Sequence, residues 1–456
     1  MTAVENVRSE NKMGTAPVLP LILSMSFPAM LSMLVQALYN VVDSYFVAQI
    51  SENALTAVSL AFPIQNLLIA IVVGTGVGIN SLVARRLGER NQLAADNAAA
   101  HGLILGVLNW VLFFIMGLFF AGPFMEAFTD IPDILTMGTQ YLSCVCIFSF
   151  GVCVEVNVEK TLQATGNMIW PMIFQLTGAV INIILDPIFI FGLFGVPRME
   201  VLGAAVATVT GQIISMILAL VVLFVGKKHA VTVKWKEFRF SSQTVRNIYA
   251  VGLPSIVMQA IGTVMTVCMN AILIRFTETA VAVFGVYFKI QSFVFMPVFG
   301  LNQGVMPIMG YNFGARNRRR MMEALKYGML IALGIMLVGL LIFQFLSSQL
   351  LGIFNASEQM LTIGVPALRI ISICFVPAAV SILISTLFQA VGKGLYSLYV
   401  SVLRQLVVLV PAAFLLSAIG LEAVWFSFPI AEIFGLGSSI FLFLRLRKKV
   451  LNQLPV

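Results

Sequence analysis

The chain has 456 residues, 60% of them hydrophobic and only 10% charged, with 27 lysines and arginines against 19 acids for a formal charge of +8. Soluble domains carry about a quarter charged residues, so this composition excludes a soluble enzyme or nucleic-acid-binding protein and requires a polytopic membrane protein. Five cysteines (Cys144, Cys146, Cys153, Cys268 and Cys374), all in apolar stretches, and two histidines (His101 and His229) offer no zinc or disulfide set, and no cofactor is expected.

A polar tail, residues 1–17, opens the chain and shows no signal peptide ahead of the first apolar run. A helix needs about 20 apolar residues to cross a bilayer, and such stretches recur twelve times in this sequence. The first, 20–48, holds Gln36, Tyr39, Asn40 and Asp43. The second, 54–83, holds Gly74, Gly76 and Gly78, which read as close helix packing, because no strand precedes them and no Gly-Lys-Ser/Thr follows. The third and fourth, 96–121 and 134–157, lead to Glu155 and then Glu159-Lys160. In the fifth, 168–194, Asn182 and Asp186 are four residues apart and share a face. The sixth, 201–225, adds the hydroxyl of Thr208. After a polar linker come 247–276, with Gln259, Met265 and Asn270, and 280–308, with Tyr287, Lys289, Gln291 and Asn302. The remaining spans are 324–350, 360–386, 396–419 and 421–444.

The two halves repeat each other at a constant offset of 226 positions. Pro28 returns as Pro254, Ile64-Gln65 as Ile290-Gln291, Gly74 and Gly78 as Gly300 and Gly304, Gly88-Glu89-Arg90-Asn91 as Gly314-Ala315-Arg316-Asn317, and Gln163-Ala164-Thr165-Gly166 as Gln389-Ala390-Val391-Gly392. This predicts two equivalent six-helix bundles, 18–225 and 247–445, joined by a cytoplasmic linker at 226–246 and flanked by cytoplasmic tails at 1–17 and 446–456. Both copies carry their basic loop on the same side, so the pseudo-twofold axis runs along the membrane normal.

The excess charge reports orientation rather than a polyanionic partner. Of the 27 basic residues, 22 fall in the termini and every second loop: Arg8, Lys12, Arg85, Arg86, Arg90, Lys160, Lys227, Lys228, Lys234, Lys236, Arg239, Arg246, Arg316, Arg318, Arg319, Arg320, Lys326, Lys393, Arg445, Arg447, Lys448 and Lys449. The alternate loops hold only Arg198 and Arg275 among their acids. By the positive-inside rule both termini are cytoplasmic.

A charge at the centre of a bilayer costs at least about 2.5 kcal/mol, so ionisable residues inside spans are functional candidates. They are Asp43, Glu155, Glu159, Asp186, Lys289, Arg369, Arg404 and Glu432. Glu159, Arg369 and Arg404 read as snorkelling side chains that reach an interface or a carboxylate. Asp43, Asn182, Asp186 and Thr208 form a set of hard oxygen donors suited to Na⁺, or to a proton carried on a buried carboxylic acid, and either makes them a coupling site. The positions 226 residues beyond Asp43 and Asp186 are Met269 and Ala412, so coupling chemistry is confined to the first half. Gln36, Tyr39, Asn40, Glu155, Gln259, Met265, Asn270, Tyr287, Lys289, Gln291 and Asn302 are the candidates for substrate contact. Prolines 28, 63, 171, 187, 254, 297, 307, 366, 377 and 411 lie in or beside spans and are expected to bend them.

Taken in order, these fragments resemble the multidrug and toxic-compound extrusion (MATE) family. The likeness is carried by Tyr39-Asn40-Val41-Val42-Asp43, Phe62-Pro63-Ile64-Gln65, Ala84 to Asn91, Leu162 to Asn167, Asn182 with Asp186, Gly203 to Thr208, Tyr311 to Asn317 and Phe388 to Lys393. The resemblance implies an all-α, V-shaped pair of six-helix bundles that exports lipophilic organic cations in exchange for Na⁺ or H⁺, as a monomer in the lipid bilayer of a bacterial plasma (inner) membrane. It also implies that Asp43, Asn182, Asp186 and Thr208 form the N-lobe cation site. One branch of the family uses acids in the seventh and tenth spans; here Thr263, Thr266, Ser381 and Ser385 are merely polar.

Other classes fit less well. A major-facilitator transporter would carry an acid before the loop glycine, and a membrane aspartyl protease a Gly-x-Gly-Asp signature. A primary pump would carry a Walker A sequence. A lipid-linked saccharide flippase of related fold would line its cavity with basic groups, for which Lys289, Arg369 and Arg404 are the candidates.

Overall fold

Backbone polar groups in hydrocarbon must be satisfied within their own segment, and the apolar runs of this chain accordingly fold as helices. The computed structural model describes residues 11–226, 230–354 and 356–455; Arg8, Lys227, Lys228 and His229 lie outside them. The helices are α1 (Lys12–Thr15), α2 (Val18–Ala48), α3 (Glu52–Gly88), α4 (Gln92–Phe119), α5 (Ala121–Glu126), α6 (Pro132–Ile147), α7 (Phe150–Ala164), α8 (Ile169–Phe191), α9 (Glu200–Val225), α10 (Ser242–Leu273), α11 (Glu278–Gly314), α12 (Arg318–Phe345), α13 (Ser347–Gly352), α14 (Glu358–Ser372), α15 (Phe375–Ala390), α16 (Gly394–Val402), α17 (Val410–Leu416), α18 (Leu421–Trp425) and α19 (Ser427–Lys449), with a π-helical segment at Leu403–Leu409. Among the described residues there are ten crossings by long apolar helices and two by bent pairs, α6 with α7 and α14 with α15. The all-α, twelve-crossing architecture expected from composition is therefore present.

The repeat extends to backbone detail. The side chains of Ser51 and Thr277 cap α3 and α11, and those of Asn91 and Asn317 cap α4 and α12, each pair 226 positions apart. Arg90 and Arg316 take φ of 57° and 58°, and Gly166 and Gly392 take 87° and 81°. The bends match as well, 44° between α6 and α7 and 47° between α14 and α15. The first falls at Phe148-Ser149, with no proline in the following turn, and the second at Ile373-Cys374, four residues ahead of Pro377, which has no N–H for the Ile373 carbonyl; α2, α3, α8, α10 and α11 run through their prolines. Proline acts differently at Pro411, which has no N–H to give the carbonyl four residues before it; the helix widens into the π segment just ahead.

The halves meet along α2 against α11 and α3 against α10. Glycine makes this contact possible. A Cβ on Gly74 would lie 2.8 Å from the Ile256 nitrogen, one on Gly300 2.6 Å from Met30 Cα, and one on Gly304 2.8 Å from the Ser26 nitrogen, while one on Gly78 would overlap the Ile248 carbonyl. Small residues of this kind let spanning helices approach backbone to backbone. These contacts lie toward the end of the bundle that carries Arg85 to Arg90 and Arg316 to Arg320, where α3 beyond Gly74 and α11 beyond Gly300 are almost entirely buried. Toward the other end, Gly285 of α11 faces nothing within 4 Å and most of the first turns of α3 are exposed. The halves are thus sealed at the basic end and splayed at the opposite one.

A polar cluster reinforces the seal. Lys160 Nζ donates to Glu159 Oε1 at 2.9 Å, to Gln163 at 3.1 Å and across the halves to Gln303 at 3.0 Å. Gln163 donates to Glu159 and to Gln303, and Gln175 donates to the second oxygen of Glu159 at 2.9 Å. Glu159 and Lys160 are 2% and 6% exposed. This corrects two expectations: Glu159 does not snorkel, and Lys160 is not in a loop, because α7 continues to Ala164, beyond the expected end of the fourth span at 157.

Two peripheral segments also tie the halves. Asn11 donates to Thr165 O of the first half, while Met13 and Ala16 present carbonyls to Asn312 and Arg320 of the second, so the short α1 crosses the basic end. The linker lies on α4: Thr232 bonds Asp96, and the Ser241 N–H donates to His101 Nε2, which leaves Nδ1 to donate to Asn97 O.

Two thermal-unfolding measurements on the purified protein check this packing. Gly78→Val overpacks the seam and should cost about 1–3 kcal/mol, seen as a lowered midpoint, whereas Gly285→Ala should leave the midpoint unchanged. Glu159→Ala strands a buried ammonium and should cost about 3–5 kcal/mol; the Glu159→Ala/Lys160→Met double variant should recover most of that loss.

Candidate functional site

Four of the splayed helices bring polar groups together in the first half. α2 presents Tyr39 and Asp43 one turn apart, α6 presents Tyr141, α8 presents Asn182 and Asp186, and α9 presents Thr208. Glycine again sets the spacing: a Cβ on Gly211 would lie 2.7 Å from the Gly178 carbonyl, and one on Gly203 2.6 Å from Phe189. With α8 and α9 this close, Asn182 reaches both neighbours. In the amide orientation that satisfies every partner, Asn182 donates to Asp186 Oδ2 at 3.1 Å and accepts from the Thr208 N–H and hydroxyl, each at 3.1 Å. Asn182 therefore clips the carboxylate of Asp186 to α9.

Asp186 is fully buried, and Asn182 and Thr208 are 2% and 7% exposed. Asp43 is half-buried, with Oδ1 shielded and without a hydrogen-bond partner. The Tyr39 hydroxyl lies beside Thr208 and in electrostatic range of both aspartates. Tyr141 lies in the same range and accepts a bond from Gln65 at 2.9 Å. No lysine or arginine pairs with Asp43 or Asp186 among the described residues. No cluster of three or more His, Cys, Asp or Glu side chains suited to a metal occurs there either. The four residues expected to form a cation site thus sit together, joined by Tyr39 and by Tyr141 and Gln65. Tyr141 carries no charge or spacing signal in the sequence; its neighbour Gln65 was visible only as a repeated residue.

The substrate candidates divide. Gln36 and Asn40 are exposed on the stripe of α2 that leads to Asp43. Glu155 is not part of this set: it is buried toward the sealed end, within range of Glu159, Lys160 and Ser215, with Oε1 unpartnered. In the second half, Gln259, Met265, Tyr287 and Gln291 line a cavity of about 410 Å³ together with Thr263, Thr266, Arg404, Gln405 and Glu432. Asn270 and Lys289 do not line it, and Lys289 is exposed on α11. Asn302, half-buried with Oδ1 unpartnered, lies closer to the sealed end.

Arg404 does not snorkel; it bonds Glu432 at 3.2 Å, with Glu432 5% exposed. Arg369 is exposed and bonds the Gln344 carbonyl at 3.1 Å. Of the three basic side chains that a flippase cavity would recruit, only Arg404 lines this one, already paired with an acid.

The sequence model of the MatE family matches this chain twice, over residues 28–188 and 254–415, with starts separated by the same 226 positions as the internal repeat. Among curated proteins, the multidrug export protein MepA of Staphylococcus aureus is 24% identical over 420 residues, covering 91% of each chain, and MepA of Staphylococcus saprophyticus is 25% identical over 409 residues, covering 89% of each. Among solved structures, a multidrug resistance MATE family transporter of the MOP superfamily in an outward-facing conformation aligns with a TM-score of 0.90 and 28% identity over 98% of this chain and 100% of the other. A MOP superfamily transporter from Pyrococcus furiosus, described as having a binding pocket of reverse polarity, gives the same values. The duplicated match and the shared twelve-crossing architecture place this chain in the MATE family of multi-pass membrane transporters.

Proposed function

We propose that this protein is a multidrug exporter that moves lipophilic organic cations out across a bacterial plasma membrane in exchange for Na⁺ or H⁺. One observation carries the coupling half of this reading: two carboxylates, Asp43 and Asp186, are held in the spanning helices within range of each other and have no basic partner among the described residues. The names of the Staphylococcus relatives support the drug-export half.

Sidedness comes from the positive-inside rule. The sealed end carries the basic loops and faces the cytoplasm with both termini, so the splayed end opens outward. Six-helix halves at 18–225 and 247–445 then rock about the glycine seam, and one chain holds both, so a monomer suffices. The Lys160–Gln303 bridge closes the inner side in this state and must part when the cleft opens inward.

The exchange follows from charge neutralisation. Asp43 Oδ1 is a buried acceptor awaiting a donor or a cation, and Asp186 is steadied for the same purpose by Asn182. A proton on either acid, or Na⁺ held by the two carboxylates with the Asn182 and Thr208 oxygens, removes the negative potential that draws a cationic substrate into the cleft. Ion entry from outside therefore favours release of cargo to the same side. Linkage of about 1–3 kcal/mol is ordinary between coupled sites.

Ethidium efflux from proteoliposomes, driven by an imposed sodium or pH gradient, tests the reading. Asp43→Asn and Asp186→Asn should each lose gradient-driven efflux by tenfold or more at wild-type levels of incorporation. Wild-type rates in either variant would remove that carboxylate from the mechanism, and the gradient that drives the wild type identifies the ion.

A further inference from the structure

The second-half cavity carries an ion pair that the coupling scheme does not use. Arg404 and Glu432 face each other between the last two spans, and the two ends of the pair are not equally available. Side-chain exposure is 25% for Arg404 and 7% for Glu432, and Glu432 Oε1 is buried without a partner. Among the described residues the guanidinium makes one N–H bond, through Nη1 to Glu432 Oε2, which leaves the rest of a five-donor fork for a ligand. The charge that the cavity offers to a ligand is therefore the positive one, with the acid buried beneath it as a positioning residue.

The surroundings suit an anionic aromatic group. Arg404 and Gln405, consecutive residues of the π segment ahead of Pro411, both line the cavity. The primary amides of Gln259, Gln291 and Gln405 add neutral hydrogen-bond capacity, and the rings of Tyr287 and Phe428 form apolar walls. At about 410 Å³ the space falls in the range of small-molecule pockets.

We propose that this cavity is a binding subsite for the carboxylate of an aromatic, amphiphilic substrate, with the Arg404 guanidinium as its anchor and Glu432 holding that guanidinium in place. This rests on the export reading and deepens it, because it gives the carboxylate of such a substrate a fixed anchor in the second half of this chain. A carboxylate on the fork gains paired, charge-assisted hydrogen bonds, which a lysine's point charge reproduces only in part.

Equilibrium binding to the purified full-length protein tests it with two probes that share a ring system: 1-naphthaleneacetate and (1-naphthylmethyl)trimethylammonium. The wild type should bind naphthaleneacetate saturably. Arg404→Gln should weaken that binding at least tenfold and Arg404→Lys by less, while the trimethylammonium probe binds both variants as it binds the wild type. Because Arg404→Gln strands the Glu432 carboxylate, the neutral Arg404→Gln/Glu432→Gln variant repeats the measurement with the buried charge removed, and the same selective loss is expected. The proposal is overturned if the wild type does not bind naphthaleneacetate, if the double variant binds it within twofold of wild type, or if both probes weaken in parallel. Retained binding of the cationic probe without binding of the anionic one sinks this inference and leaves the cation-export reading standing.

Discussion

An ion buried in a membrane protein has to be paired, neutralised or hydrated, because the hydrocarbon around it offers nothing in exchange for lost water. This molecule meets that constraint in different ways at three places. Glu159 and Lys160 neutralise each other inside a cluster of glutamines at the sealed end. Arg404 and Glu432 neutralise each other at the wall of the second-half cavity. Asp43 and Asp186 have an amide, hydroxyls and each other, but no cation. The first two sites are internally neutral in charge. The third is balanced only by something that comes from outside the chain, which is what an ion-coupled step requires.

The duplicated scaffold makes this contrast sharper. Caps, left-handed turns and seam glycines recur at the fixed offset, and the bends within one residue of it, whereas no buried charge does. Asp43 and Asp186 correspond to Met269 and Ala412, Glu155, Glu159 and Lys160 to Ser381, Ser385 and Thr386, and Arg404 and Glu432 to Gly178 and Val206. Symmetry is kept where two bundles must move against each other, and lost where each must present different chemistry. At the seam the requirement is geometric: a side chain at Gly78 or Gly300 would collide with backbone of the other half. In the cavities the requirement is electrostatic, and the same helix positions carry whatever charge that half uses.

Features governed by a large local energy were legible in the sequence. An aspartate in an apolar run stands out because it is costly, so Asp43, Asp186 and the Asn182 and Thr208 beside them could be named and are found together. The repeat could be read because turns and seam contacts tolerate few residue types. What escaped depended on partners distant in sequence or on geometry without a residue signature. Arg404 and Glu432 are 28 positions apart and nothing local joins them. The bend at Phe148-Ser149 has no proline in the following turn to mark it, and the charged Glu159-Lys160 beyond it has the residue pattern of a loop. Tyr141 enters the aspartate site only because α6 packs beside α3 and brings its hydroxyl to Gln65.

Why the unpaired site, rather than either paired one, is suited to coupling follows from the cost of change. Removing one member of a buried ion pair leaves a stranded charge, at about 3–5 kcal/mol, and a transport cycle that repeatedly broke Glu159 from Lys160 would have to recover that each turn. The glutamines around Lys160 lower the cost of a smaller change: if the Gln303 contact parts, Glu159 and Gln163 still hold the ammonium within the first half. The bridge between halves can then open while the charge pair stays intact. At Asp43 and Asp186 the situation is reversed, since arrival of a cation relieves a deficit instead of creating one. A seam that opens without separating charge, and a carboxylate site that gains by being filled, are complementary requirements for alternating access, and they occupy opposite ends of the same bundle.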